Sequence, residues 1–373
     1  MTTSHSQILN AARTFALVAA LFLLRTNPLH AASGATTDGF GPDRSSGAFL
    51  NITRQHLRNH NAQAIAVDGK NRVLVLNEWF DKGASNQDCA VTRHLRNARQ
   101  LDMDFTGPDE LEATRRIALD LGGSNFDICT GMATDVANRV VVVGNADTGA
   151  GLTGFLVRLG ASNGAYDVSF DHNGKVALSD LSAFTGVGTY LNAVAVLGDG
   201  KKVLACGYVQ RGGERNMLAV QFTTLGALDT SFNGTGYKEI DFNGGGGDND
   251  VCSRLQVLPD GDVVLAGTAD DSAGNPALAV VRLNSNGAYD GNFSTDGRLL
   301  IANTSQIAST LNLVDVGYDA TRGRLLLGCN LVFANNTLLP SACVVAVSES
   351  GALDNTFGNN GRQFFRYSEF HGL

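Results

Sequence analysis

Few side chains in this sequence combine a type and a spacing that could do chemistry. The single tryptophan stands in Glu78-Trp79-Phe80-Asp81-Lys82, and an indole beside charged groups is a surface on which a ligand can stack. The competing account is that Trp79 caps the edge of its own core, as amphipathic aromatics often do. Charge gathers again at Arg211-Gly-Gly-Glu214-Arg215 and at Asp270-Asp271. Asp81, Glu214, Asp270 and Asp271 are the carboxylates that could cleave a glycosidic bond, if two or three of them converged about 5–10 Å apart.

Other motifs dissolve on inspection. Residues 243–250, Asn-Gly-Gly-Gly-Gly-Asp-Asn-Asp, invite a phosphate-cradle or calcium reading. There is no Gly-Lys-Ser/Thr and no following helix, and one Gly-Gly-x-Gly-x-Asp copy cannot stack into a calcium roll. The stretch aligns with residues 122–127 and reads as a variable loop. His56 and His60 have no third ligand at motif spacing, and no Gly-x-Ser-x-Gly elbow occurs. No cofactor and no metal are expected. Arg115-Arg116, after Glu110 and Glu112, reads as a charged, solvated insertion.

The elements that position these residues follow from composition and repetition. Glycine supplies 44 of 373 residues, well above the usual ~7 per cent, and charged residues fall to 17 per cent against a usual ~25 per cent. Such a chain is rich in turns and poor in solvated helix faces. With 43 per cent apolar residues it can bury a core, which excludes wholesale disorder. A net charge of −8 argues against a nucleic-acid partner.

Residues 1–32 read as a secretory signal: an n-region ending at Arg13, an uncharged run over 15–24, then Ala31, Ala32 and Ser33 around a cleavage site. That run is too short to span a bilayer. An exported protein without a membrane span is expected, periplasmic or extracellular.

One turn recurs: Leu101-Asp102-Met103-Asp104-Phe105, Tyr166-Asp167-Val168-Ser169-Phe170, Leu228-Asp229-Thr230-Ser231-Phe232, Tyr289-Asp290-Gly291-Asn292-Phe293 and Leu353-Asp354-Asn355-Thr356-Phe357, with a degenerate copy at Asp38-Gly39-Phe40-Gly41. The phenylalanines are 65, 65, 62, 61 and 64 residues apart. Each period carries four short apolar runs, in the clearest copy 237–242, 251–258, 263–267 and 277–283, and these read as strands. Asp68-Gly69, Asp199-Gly200 and Asp260-Gly261 close tight hairpins between the second and third, because Asp-Gly accepts positive φ. Each period is taken as one four-stranded antiparallel meander. The third run is apolar on both faces, so the sheets must cover one another, and a ring of them does so.

The fold class is therefore all-β, a five-bladed β-propeller in one domain over 33–373. One extra strand, 362–366, closes the ring. It either completes the blade holding the N-terminal strands or replaces a strand near 48–52. A two-sheet sandwich is the rival architecture, but nothing makes a sandwich repeat at a fixed period.

Residues 226–236, 255–267 and 278–287 resemble one unit of the bacterial delta-60 repeat proteins. The likeness runs through the third and fourth copies most closely. Arg99-Gln100 departs from it where other copies have Gly-Ala. The resemblance implies a propeller in exported or surface bacterial proteins and assigns no activity.

Residues shared by every copy read as structural: the turn Asp accepts nearby backbone N–H groups and the Phe fills the gap between blades. Function belongs where copies differ, on the rim that carries the variable loops. The ligand-contact candidates are Trp79, Phe80, Asp81, Arg211, Glu214, Arg215, Asp270 and Asp271.

Six cysteines in an exported chain suggest three disulfides, with 15 pairings possible. Repeat position favours Cys89 with Cys129, Cys206 with Cys252, and Cys329 with Cys343. Six buried thiols are the alternative. The favoured function is a monomeric, non-enzymatic module that binds a protein, glycan or cell-envelope ligand on the variable rim. The alternative is an exported hydrolase or lyase acting on a polysaccharide at the channel mouth, by analogy of fold.

Overall fold

The computed structural model describes residues 62–80, 87–96, 100–105, 114–117, 127–198, 200–242, 249–271, 273–302, 308–333 and 341–365. The signal segment, His56, His60 and the Phe40 copy of the turn lie outside these residues. Five separate sheets of four antiparallel strands make a five-bladed β-propeller, and no α-helix occurs among the described residues. Blade 1 is Ala62–Val67 (β1), Val73–Phe80 (β2), Gln87–His94 (β3) and Thr114–Ile117 (β4). Blade 2 is Asp127–Thr134 (β5), Val140–Asp147 (β6), Leu152–Leu159 (β7) and Lys175–Ala177 (β8). Blade 3 is Gly188–Leu197 (β9), Lys202–Arg211 (β10), Glu214–Thr223 (β11) and Tyr237–Ile240 (β12). Blade 4 is Val251–Val257 (β13), Val263–Asp270 (β14), Pro276–Leu283 (β15) and Arg298–Ile301 (β16). Blade 5 is Ala308–Asp319 (β17), Arg324–Phe333 (β18), Ser341–Ser348 (β19) and Arg362–Phe365 (β20).

The blades are phased one strand later than the sequence reading. The strand after each Asp-x-x-Phe turn is the outermost strand of the blade before it: Tyr237–Ile240 pairs with β11 and Arg362–Phe365 with β19. The turn folds back along the third strand, pairing Phe222 with Leu228, Leu283 with Tyr289 and Val347 with Leu353, and so delivers the next strand to that edge, whereas the segment after that strand crosses to the next blade. β20 thus completes blade 5 and not the N-terminal blade. Arg115 and Arg116 are also placed differently. They sit in β4, paired with Val91 and Ala90, and are part of the blade rather than an excursion.

The core lies between blades. Blades 1 and 2 share a cluster of Leu74, Leu76, Val91, Val140, Val142 and Val157, and equivalent clusters join blades 2 and 3, 3 and 4, and 4 and 5. The repeated turn locks these seams. Phe105, Phe170, Phe232 and Phe293 are 0–1 % exposed, and full burial of a Phe is worth about 1.5–3 kcal/mol. Each turn aspartate offers Oδ1 to the backbone N–H two residues on, as Asp290 does to Asn292 at 2.9 Å. Its Oδ2 takes a cation from the same blade: Arg93, Arg158, Lys202, Arg282 or Arg324. Beyond the Phe, the N–H groups of Asp171, Asn233 and Ser294 donate to the carbonyls of Leu225, Asn286 and Ser350 in the following blade, at 2.8, 2.7 and 2.9 Å.

Three disulfides pair Cys89 with Cys129, Cys206 with Cys252 and Cys329 with Cys343, with Cα separations of 5.8, 5.8 and 4.9 Å. The first two bridge neighbouring blades and the third crosses one hairpin. No helix among the described residues is long and apolar enough to cross a membrane.

Candidate functional site: a bulge-lined channel mouth

The rim candidates fall on three blades. Trp79 and Phe80 end β2, paired with Asp88 and Gln87, and Asp81 lies outside the described residues. Arg211 and Glu214 face each other across a two-residue Gly-Gly hairpin whose φ values, 60° and 96°, favour glycine. Arg211 grips Glu239 at 2.7 Å, and this hydrogen-bonded pairing raises the already high Arg211 pKa.

Arg215 is one residue further along β11, so strand alternation turns it to the opposite face of the blade. There it lies 5.0 Å from the Tyr208 ring, which stacks on Tyr190 at 4.7 Å. Burial pushes the Tyr208 hydroxyl up to about 12. Asp270 accepts a hydrogen bond from Asn249 at 3.2 Å. Asp271 is occupied by its own turn, accepting from the backbone N–H groups of Asn275 and Ala273 at 2.9 Å, which lowers its pKa.

A second feature gathers residues from all five blades. Every innermost strand carries a β-bulge. The extra residue is Gln63 in β1, Thr130 in β5, Asn192 in β9, Ser253 in β13 and Val314 in β17. A bulge re-aims the side chain it carries. On the neighbouring strand, blades 2 to 5 place Gly144, Gly207, Gly267 and Gly328 at this level. A Cβ on Gly207 would run into the carbonyl of Tyr190, and one on Gly267 into that of Val251. Gly207 and Gly267 are therefore required by close backbone approach.

Gln63, Thr130, Asn192 and Ser253 line a cavity of about 270 Å³ with Arg254 and Leu313. The bulges sit at or before the middle of β1, β5, β9 and β13, strands that enter from the variable rim, and the cavity they line is called the channel mouth below. Two of the polar groups also tie blades together. Thr130 Oγ1 donates to the carbonyl of Leu191 at 2.7 Å, and Asn192 Nδ2 to that of Cys252 at 2.8 Å. Gln63 Nε2 donates to Glu78.

The residue after each bulge is Ala64, Gly131, Ala193, Arg254 and Asp315 in turn. Three blades are small there because neighbouring inner strands crowd the axis. A Cβ on Gly131 would already meet the backbone of Ala193 at 3.2 Å. Blades 4 and 5 break the pattern with opposite charges. Burial raises the Asp315 pKa, against the pull of Arg254 and of the Val316 N–H. The sequence reading looked for function in loops and passed over this position. The signal was present as one column of the repeat alignment, spaced 67, 62, 61 and 61 residues.

Residues 258–293, from the hairpin turn of blade 4 to its motif Phe, match the family described as "Domain of unknown function (DUF5122) beta-propeller". The chain is a β-propeller built from repeats. No curated protein matches the sequence. Similar solved structures include a leech intramolecular trans-sialidase complexed with 2,7-anhydro-Neu5Ac, 7% identical over 84% of this chain and 63% of that one, TM-score 0.45. Polysaccharide lyase Uly1 is 7% identical over 76% and 57%, TM-score 0.43. The GH74 xyloglucanase from Xanthomonas campestris is 13% identical over 78% and 37%, TM-score 0.42. The chain thus spans less than two thirds of each, and at these identities no activity of theirs passes to it.

Proposed function

We propose that this chain is an exported, non-enzymatic binding module that takes a glycan at the channel mouth on its variable rim. The observation that carries the reading is the ring of bulges. Gln63, Thr130, Asn192 and Ser253, one from each of four blades, bring amide and hydroxyl groups to one cavity. A few convergent polar groups in a concave site are the ordinary means of fixing a small polar ligand. None of the six lining residues is acidic, which supports binding over hydrolysis, since a glycosidase needs a pair of carboxylates. In this reading Arg211, Glu214, Arg215, Asp270 and Asp271 extend the contact surface outward along the same rim. That all six cysteines are paired supports export, because disulfides persist in oxidising compartments.

The test is a glycan microarray probed with the full chain and with Ser253→Tyr, which fills the mouth and removes no hydrogen bond seen there. Binding by the wild type that is lost in the folded variant is expected, with no turnover of the bound glycan. Turnover, or binding that Ser253→Tyr leaves intact, overturns the reading.

A further inference from the structure

Nine arginines among the described residues have a carboxylate partner. Arg93, Arg158, Arg211, Arg282, Arg298 and Arg324 hold one at 2.7–2.9 Å. Arg254 does not. Its one hydrogen bond runs from Nη1 to the carbonyl of Ser253 at 2.8 Å, and it makes no ion pair among the described residues. Asp315, at the matching position of the next blade, lies near enough for its charge to feel Arg254 but forms no salt bridge with it. The remaining N–H donors of its planar guanidinium have no partner among the described residues, in a cavity whose other walls are mostly polar.

We propose that Arg254 binds the carboxylate of an acidic sugar, a uronic acid unit of a glycan, seated at the channel mouth. The inference rests on the binding reading above and names the ligand class for the same site. A guanidinium fork matches a carboxylate bidentately, and such charge-assisted pairs are stronger than neutral hydrogen bonds. The neighbours suit the rest of a sugar. Thr130 has given its proton to Leu191 and keeps its lone pairs. Asn192 keeps Oδ1 and its second N–H. Gln63 keeps Oε1 and one N–H. Hydroxyls, which both donate and accept, satisfy all three. A neutral sugar offers the guanidinium only hydroxyl and ring oxygens, weaker acceptors than a carboxylate, so the site favours the acidic unit.

The experiment is a calorimetric titration of the full chain with trigalacturonate and with its methyl ester, which keeps the sugar and removes the charge. Wild type, Arg254→Met, Arg254→Lys and Ser253→Tyr are compared, each with its thermal midpoint as a check on folding. The acid should bind the wild type and weaken at least ~10-fold in Arg254→Met, with Arg254→Lys in between. The ester should bind the wild type no better than the acid binds Arg254→Met. Equal binding of acid and ester, an Arg254→Met that binds like the wild type, or no binding of the acid overturns the inference. If acid and ester bind equally and Ser253→Tyr abolishes both, the mouth is the site and only the acidic preference falls. If Ser253→Tyr leaves binding unchanged, the mouth itself is wrong.

Discussion

Arg158 and Asp167 join one blade to the next. Arg158 Nε donates to Asp167 Oδ2 at 2.8 Å, Nη1 reaches the carbonyl of Thr224 in the following blade at 2.7 Å, and the guanidinium lies 4.7 Å from the Phe170 ring. Arg93 repeats the arrangement with Asp102, Ala161 and Phe105. The Arg158 side chain is 2 % exposed, and burial lowers its pKa. Breaking a buried pair by removing one partner costs about 3–5 kcal/mol. Arg158→Met should therefore lower stability by about 3 kcal/mol, measured by urea unfolding. A change below about 1 kcal/mol would show that Phe170 packing alone holds the seam.

The bulges make a contrast between glycines. A Cβ on Gly207 or Gly267 collides with the carbonyl opposite, whereas on Gly328 it meets Asp315 backbone atoms at 3.8 and 3.9 Å, ordinary contact. Gly207→Ala should fail to fold or lose about 3 kcal/mol or more, and Gly328→Ala should change stability by less than about 1 kcal/mol. Equal effects in thermal melts would mean that the bulge is not the reason for the glycines.

The Cys206–Cys252 bridge closes a chain separation of 46 residues between blades 3 and 4. In the chain-entropy account that loop is worth about 4 kcal/mol. The double variant Cys206→Ala/Cys252→Ala should lose stability on that scale in denaturant titration. A loss near zero would place the strength of that seam in its apolar cluster.

Two aspartates give opposite pH slopes. Asp354 is lowered to about 2 by the Thr356 hydroxyl and Arg324, below an ordinary carboxyl at ~3.9. Its contribution is present above the unfolded value and lost as pH falls through about 2. Burial raises Asp315, so the native state holds that proton longer than the unfolded chain. Stability then falls as pH climbs from ~3.9 through the raised value. Asp315→Asn should flatten that fall, and Arg324→Met should weaken the acid sensitivity, in thermal midpoints measured from pH 2 to 7. If Asp315→Asn leaves the slope unchanged, Asp315 is not the group responsible.

The repeat made the fold legible. Five Asp-x-x-Phe turns and the paired apolar runs led to five blades, and repeat position led to all three disulfides. The phase of the blades was hidden because a cyclic repeat has no intrinsic start. Only the pairing of Tyr237–Ile240 with β11 decides it. The rim residues were visible as charges, yet nothing in Arg211-Gly-Gly-Glu214-Arg215 announced that alternation would send Arg211 and Arg215 to opposite faces. The channel mouth was invisible to a motif search because Gln63, Thr130, Asn192 and Ser253 share no motif. What they share is a bulge, a property of strand register.

The proposed ligand site is the mouth of the channel. Amide hydrogen exchange of the full chain, free and saturated with a bound glycan, tests this most directly. Slower exchange concentrated at Thr130, Asn192 and Ser253 on β5, β9 and β13 is the predicted result. Protection confined to the hairpin tip at Gly212 and Gly213, or absent from the inner strands, would contradict it.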